Sequence, residues 1–221
     1  MGLSSLPNRK LEQGSRSRER ILDAASRLMA SRGYAAATIS LISQECRLPP
    51  SSIYWHFGSK EELLGSVMER GAERWFADLP SWHDLPGNAE ERLEQSIAVI
   101  AKRLAAHPEF LRLYILLSIE RREIDPASLG PIRRIRERAI GGFRAMLAAV
   151  FVEQISAELA RFTICFCDGC FVSHQVDPAT TDLGRLFDDL RIGLLAIAKA
   201  RLSEGAASRS PTLRIRKEIA R

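Results

Sequence analysis

Residues Pro50-Ser51-Ser52-Ile53-Tyr54-Trp55-His56-Phe57-Gly58-Ser59-Lys60-Glu61-Glu62-Leu63-Leu64 restrict the fold more than any other stretch, because they set two helix boundaries at once. Proline has no N–H to donate, so Pro50 fits a helix only at its first position. Gly58-Ser59 ends that short helix. Ser59 then supplies a side-chain acceptor for the next helix, and Glu62, three residues on, completes a capping box directly before Leu63 and Leu64. Within the first helix only Ile53 and Phe57, an i, i+4 pair, are needed to pack against preceding elements. Its other face carries Pro50, Ser51, Ser52, Tyr54, Trp55 and His56.

Upstream, Ile21, Ala25, Leu28 and Met29 fall on one face of a helix that starts near Ser15 and ends at Gly33. Thr38 caps a short second helix with Ile39, Ile42 and Cys46 at i, i+3, i+7. Three short helices with a tight turn between the second and third predict a helix-turn-helix whose third helix is free to enter a DNA major groove. Ser51, Ser52 and Trp55 are suited to base edges or thymine methyl groups, Tyr54 and His56 to phosphates, and Lys60 to a further phosphate. Residues 1–14 have no periodicity and read as a flexible arm. Arg16 and Arg18 beside it are expected to add salt-dependent affinity without sequence choice.

Charge agrees with a polyanionic partner. Residues 1–60 hold nine Lys/Arg against four acids, although the whole chain of 221 residues has a net charge of only +5. A second excess, in residues 205–221, reads as a solvated basic tail. No apolar run is long enough to span a bilayer and the N-terminus lacks a signal-peptide core, so a cytoplasmic protein with no membrane partner is expected. Cys46, Cys165, Cys167 and Cys170 read as reduced thiols.

Thr38 to Leu64, together with Arg20 to Tyr34, resembles the DNA-binding region of TetR-family transcriptional regulators. The resemblance implies an all-α homodimer: an N-terminal three-helix reader of double-stranded DNA over residues 15–64 and a helical ligand-binding and dimerisation domain over 65–204. It implies a repressor of a palindromic operator, released by a small-molecule effector; Thr38 is counted in the DNA-contacting set, and Arg47, read from its residue type and not from the family pattern, either reaches a phosphate or is merely solvated. Two positions depart from the family pattern. Arg47 stands where the family usually has a glycine in the left-handed conformation, and Pro49 stands where a Ser or Thr cap is common.

Beyond Leu64, breaks at Pro80, Pro86-Gly87, His107-Pro108 and Asp125 to Pro131 divide the chain into further helices. The last two, Ile155–Gln175 and Thr181–Leu202, are broadly apolar and are expected to pair with their copies in a homodimer. Phe110, Tyr114, Phe143, Phe162 and Phe166 are candidate effector-lining residues, as is Met146. Cys167, Cys170 and His174 share one helical face. That face suits a soft metal or redox sensor, but it also suits close packing at a subunit contact, and packing is the reading adopted. No cofactor is expected. The chain lacks a phosphate-binding Gly loop, His-Glu-x-x-His and Gly-x-Ser-x-Gly, so no catalytic constellation can be assembled.

Overall fold

The computed structural model describes residues 6–77, 79–106, 108–119 and 130–208, and among them every regular element is helical. The order is α1 (Leu6–Arg32), α2 (Ile39–Cys46), α3 (Pro50–Phe57), α4 (Lys60–Ala77), a 3-10 turn (Trp82–Asp84), α5 (Ala89–Ala106), α6 (Pro108–Ile119), α7 (Gly130–Ala148), α8 (Glu153–Val176) and α9 (Leu183–Ser208). Helix α3 has the bounds that its proline opener and glycine exit predict.

Residues 6–14 depart from expectation. They are helical, and α1 starts at Leu6 instead of following an irregular arm. Pro7 lies in the first turn, where its missing N–H is not needed, and a single interior glycine, Gly14, costs a helix only about 1 kcal/mol relative to alanine. At the other end, residues 205–208 continue α9. The rest of the expected basic tail, 209–221, and most of the expected 125–131 loop lie outside the described residues.

The chain forms two compact units, one from the described parts of 1–78 and 106–137, the other from 79–105 and 138 onward. In the first, one core joins Ile21, Leu22, Ala25 and Met29 of α1 to Ile42 and Cys46 of α2, Ile53 and Phe57 of α3, and Leu63, Leu64, Val67 and Met68 of α4. Leu113, Tyr114 and Leu117 of α6 complete it. Burying a side chain of this size stabilises a fold by roughly 1.5–3 kcal/mol, so α3 is anchored by two large residues although it has only eight. Helix α6 approaches α4 closely at Gly71, where an added Cβ would lie 2.5 Å from Cδ2 of Phe110. The Phe110 ring stands 6.5 Å from those of Trp75 and Tyr114.

In the second unit, α5 opens on a complete capping box. Asn88 Oδ1 accepts from the Glu90 and Glu91 N–H groups, and Glu91 Oε2 accepts from the Asn88 N–H at 2.8 Å. Helices α8 and α9 pack together, with Phe166 edge-on to Phe187 at 5.8 Å. The opposite face of α8 is a continuous exposed stripe of Phe162, Cys165, Gly169, Val172 and Val176, which recurs at 3.5-residue spacing.

Candidate nucleic-acid interface

The turn entering α3 is built at Arg47. Helix α2 ends in two crossed backbone bonds, Arg47 N–H to Gln44 C=O at 3.3 Å and Leu48 N–H to Ser43 C=O at 3.2 Å. This Schellman arrangement requires a left-handed residue, and Arg47 takes it with φ 52° and ψ 44°. It is the one non-glycine with positive φ among the described residues. A non-glycine side chain there costs roughly 1–2 kcal/mol. Other side chains brace the turn: Ser43 Oγ donates to the Leu48 carbonyl at 2.6 Å, and Arg20 Nη2 from α1 donates to the Cys46 carbonyl at 2.6 Å. Pro49, as expected, offers no side-chain cap to α3.

Helix α3 separates its faces sharply. Ile53 and Phe57 are 1% and 4% exposed, whereas Tyr54 and Trp55 are 52% and 78% exposed. Ser51 is exposed, and Ser52 and His56 are half-buried. The Trp55 and His56 rings meet edge-on at 4.6 Å, so the indole is held in place although it is open to solvent. Burial, and then the charge of Arg18, lower the His56 pKa, which keeps the imidazole neutral at neutral pH.

The exit turn is closed by bonds within the chain. Gly58 has φ 72°, and its N–H donates to the Tyr54 carbonyl at 2.8 Å. Ser59 Oγ accepts from the Glu62 N–H at 3.1 Å, which is one half of the expected capping box. The Glu62 carboxylate instead lies over Gly58, where an added Cβ would fall 2.5 Å from Oε2. Ser59 N–H donates to the Phe57 carbonyl at 2.7 Å.

Several expected phosphate contacts are differently occupied. Lys60 Nζ donates to the carbonyls of Tyr34 at 2.7 Å and Ala35 at 3.2 Å, and it stands 4.3 Å from the Tyr34 ring centroid. The ammonium thus ties the exit turn to the α1–α2 loop, and its burial lowers its pKa. Tyr34 Oη donates to Glu61 Oε1 at 3.0 Å; burial, then that bond, raise the phenol pKa. The Arg18 guanidinium lies 5.2 Å from the Phe57 ring centroid and 3.9 Å from Glu19, so it packs on the base of α3. Thr38 Oγ1 accepts from the Leu41 N–H at 3.3 Å, a capping role that leaves its own O–H free to donate. Arg16 is exposed on α1.

One cluster has no counterpart in the sequence reading. Arg70 of α4, only 13% exposed at its side chain, places Nη1 2.8 Å from both Glu19 Oε2 and Asp23 Oδ1 of α1, with Arg74 3.4 Å from Glu19. Acids at i, i+4 on one helix facing arginines at i, i+4 on another were the available signal. Only contact across 51 residues of chain shows that they pair.

The expected effector residues divide between the units. Phe110 and Tyr114 lie in the first, where Tyr114 is buried and its hydroxyl accepts from Arg136 Nη1 at 3.1 Å. Phe143, Phe162 and Phe166 lie in the second, Phe143 half-buried and Phe162 on the exposed stripe. None of the five lines the open groove of about 450 Å³ formed by Phe151, Leu195, Ala198, Lys199, Leu202 and Ser203. Cys167 and Cys170 are buried in α8, and burial raises both thiol pKa values, opposing the thiolate that a soft metal requires. Among the described residues no three His, Cys, Asp or Glu side chains are grouped to hold a metal, and no helix is long and apolar enough to cross a membrane.

A trihelical unit with an anchored third helix and an exposed aromatic face defines a helix-turn-helix protein. Residues 21–67 match the family profile described as bacterial regulatory proteins, tetR family. The HTH-type transcriptional repressor NicS of Pseudomonas putida is 28% identical over 141 residues, covering 63% of this chain and 66% of that protein. The HTH-type regulator UidR of Escherichia coli is 35% identical over 60 residues, 27% of this chain and 31% of its own length. The chain thus spans less than two thirds of these relatives. A TetR regulator from Legionella pneumophila shares the fold with a TM-score of 0.67 at 18% identity, over 90% of this chain and 100% of that one. A regulator from Saccharomonospora viridis, solved with choline, shares it with a TM-score of 0.67 at 22% identity, over 80% and 94%. Residues 21–67 thus carry a region similar to the DNA-binding part of the tetR family of bacterial regulatory proteins, and the fold over most of the chain is that of solved TetR regulators.

Proposed function

We propose that the protein is a cytoplasmic, homodimeric transcriptional repressor that places α3 of each subunit in successive major grooves of a palindromic operator and leaves the DNA when a small molecule binds. The observation that carries this reading is the division of α3, with Ile53 and Phe57 sunk in the core while Ser51, Tyr54 and Trp55 stand exposed. A chain gains nothing in water by presenting a 78% exposed tryptophan on a rigid helix, but stacking and apolar contact make such a residue useful against base edges. Tyr54 and His56 serve neighbouring phosphates, and Arg16 adds a contact from α1. Pairing is assigned to the exposed stripe Phe162, Cys165, Gly169, Val172 and Val176 of α8 together with the exposed Ile192 of α9. Its 3.5-residue period suits helix against helix, and Gly169, with nothing within 4 Å of an added Cβ, permits close approach.

Release is assigned to α4. It carries both the Arg70 clasp to α1 and the Gly71 seat of Phe110, so a ligand that displaces Phe110 acts on the helix that holds α1 in place. Phe110 and Tyr114 are the candidate effector residues beside that seat. Because a structural neighbour holds choline, choline is the first compound to try. DNA fragments selected by the purified protein give the operator. In a gel shift, wild type should retain one palindromic fragment and Tyr54→Ala should lose it without loss of helicity. Unchanged affinity in folded Tyr54→Ala would refute the groove assignment.

A further inference from the structure

We propose that Arg47 is a DNA-backbone contact retained at the expense of strain in the α2–α3 turn, an inference that rests on the operator-binding reading above. The turn needs a left-handed residue and nothing from its side chain, so glycine would satisfy it without strain. All the bonds that hold the turn come from elsewhere, from Ser43, Arg20 and the backbone of Arg47 and Leu48. Among the described residues the Arg47 guanidinium has no hydrogen bond, ion pair or ring contact, and its side chain is exposed.

The neighbouring cations sharpen the contrast. Arg20 is bound to the Cys46 carbonyl, Arg27 to Glu45 at 3.0 Å, Arg18 to the Phe57 face, and Lys60 to the Tyr34 and Ala35 carbonyls. Each of these holds the reader together. Arg47 is the uncommitted cation at the mouth of α3, three residues before Pro50, and it is the one non-glycine among the described residues held at positive φ. A side chain that contributes nothing inside the fold and destabilises the backbone that bears it has its use outside the chain. At this place the partner that a guanidinium recognises is a phosphate of the duplex being read. Its role is affinity at a fixed register, without choice of base.

The test uses the full-length protein and its selected operator fragment. Relative to wild type, Arg47→Gly should melt a few degrees higher, because the strain is relieved. It should also bind about fivefold more weakly at 0.15 M salt, with the slope of log affinity against log salt reduced by about one. Arg47→Asn, which tolerates the left-handed region but carries no charge, should bind like the glycine variant, and Arg47→Lys should keep the wild-type slope. The loss should be the same on the selected site and on its single-base variants. Wild-type affinity and slope in both Arg47→Gly and Arg47→Asn would overturn the proposal. So would a loss confined to one base pair, which makes Arg47 a base reader, or a glycine variant less stable than wild type, which makes the side chain a brace. If the wild-type protein selects no DNA, the operator-binding reading fails. If it binds and only the Arg47 series is flat, this inference fails alone.

Discussion

The two turns that flank α3 solve the same geometric problem in opposite ways. Each reverses the chain through a residue of positive φ, Arg47 at 52° on entry and Gly58 at 72° on exit. At the exit the strain-free residue is used and the side chains that close the turn bond within the chain: Ser59 with the Glu62 N–H, Tyr34 with Glu61, and Lys60 with two carbonyls. At the entry a strained residue is used and its guanidinium is left in solvent. Polar groups consumed by the fold cannot serve a partner. The exit turn is therefore where α3 is held, and the entry turn is where it is presented.

That contrast can be broken most forcefully at the anchor both turns share. Phe57→Ala should cost about 3–5 kcal/mol in denaturant unfolding, since it empties a core site and removes the ring under Arg18. A cost below about 1 kcal/mol would mean that α3 is not held from within. Gly58→Ala comes next, at about 1–3 kcal/mol, because a Cβ forces both the positive φ and the displacement of Glu62. The opposite sign is expected for the glycine substitution at Arg47. Lys60→Gln should cost about 1–2 kcal/mol through its lost bonds to Tyr34 and Ala35, yet leave the salt slope of operator binding unchanged. A reduced slope would return Lys60 to the phosphate role that its sequence position suggests.

The smallest effect is a pH dependence confined to the exit turn. The Tyr34 phenol is held above its ordinary value near 10, so its contribution is complete below that pH, where both folded and unfolded states are protonated. As pH rises further the unfolded state loses its proton first, and stability should fall. Melting curves should show this decline above about pH 10 in wild type and a shallower one in Tyr34→Phe. Equal slopes would show that the Tyr34–Glu61 bond does not close the turn.

Much of this site was legible from residue order. The Pro50 opener, the Ser59 cap and the inward Ile53 and Phe57 follow from rules acting within about five residues, and the left-handed position at Arg47 from the family resemblance. The structure places each where it is expected. The irregular arm was misread because Pro7 and Gly14 are weak breakers where they fall, and the chain stays helical from Leu6. The contacts that Lys60 and Arg18 make within the fold were not legible for a different reason: an exposed-looking cation near DNA-facing residues gives no local sign of the carbonyl or ring that it meets.

Residue order by itself determined the helix boundaries around α3 and which of its faces is apolar, because backbone sterics and capping are local. Only the tertiary structure decided which charges are available to a partner. Lys60 meets Tyr34 across 26 residues and Arg70 meets Glu19 across 51, and the pairing of a charge over such distances is settled by packing, not by its neighbours in the chain.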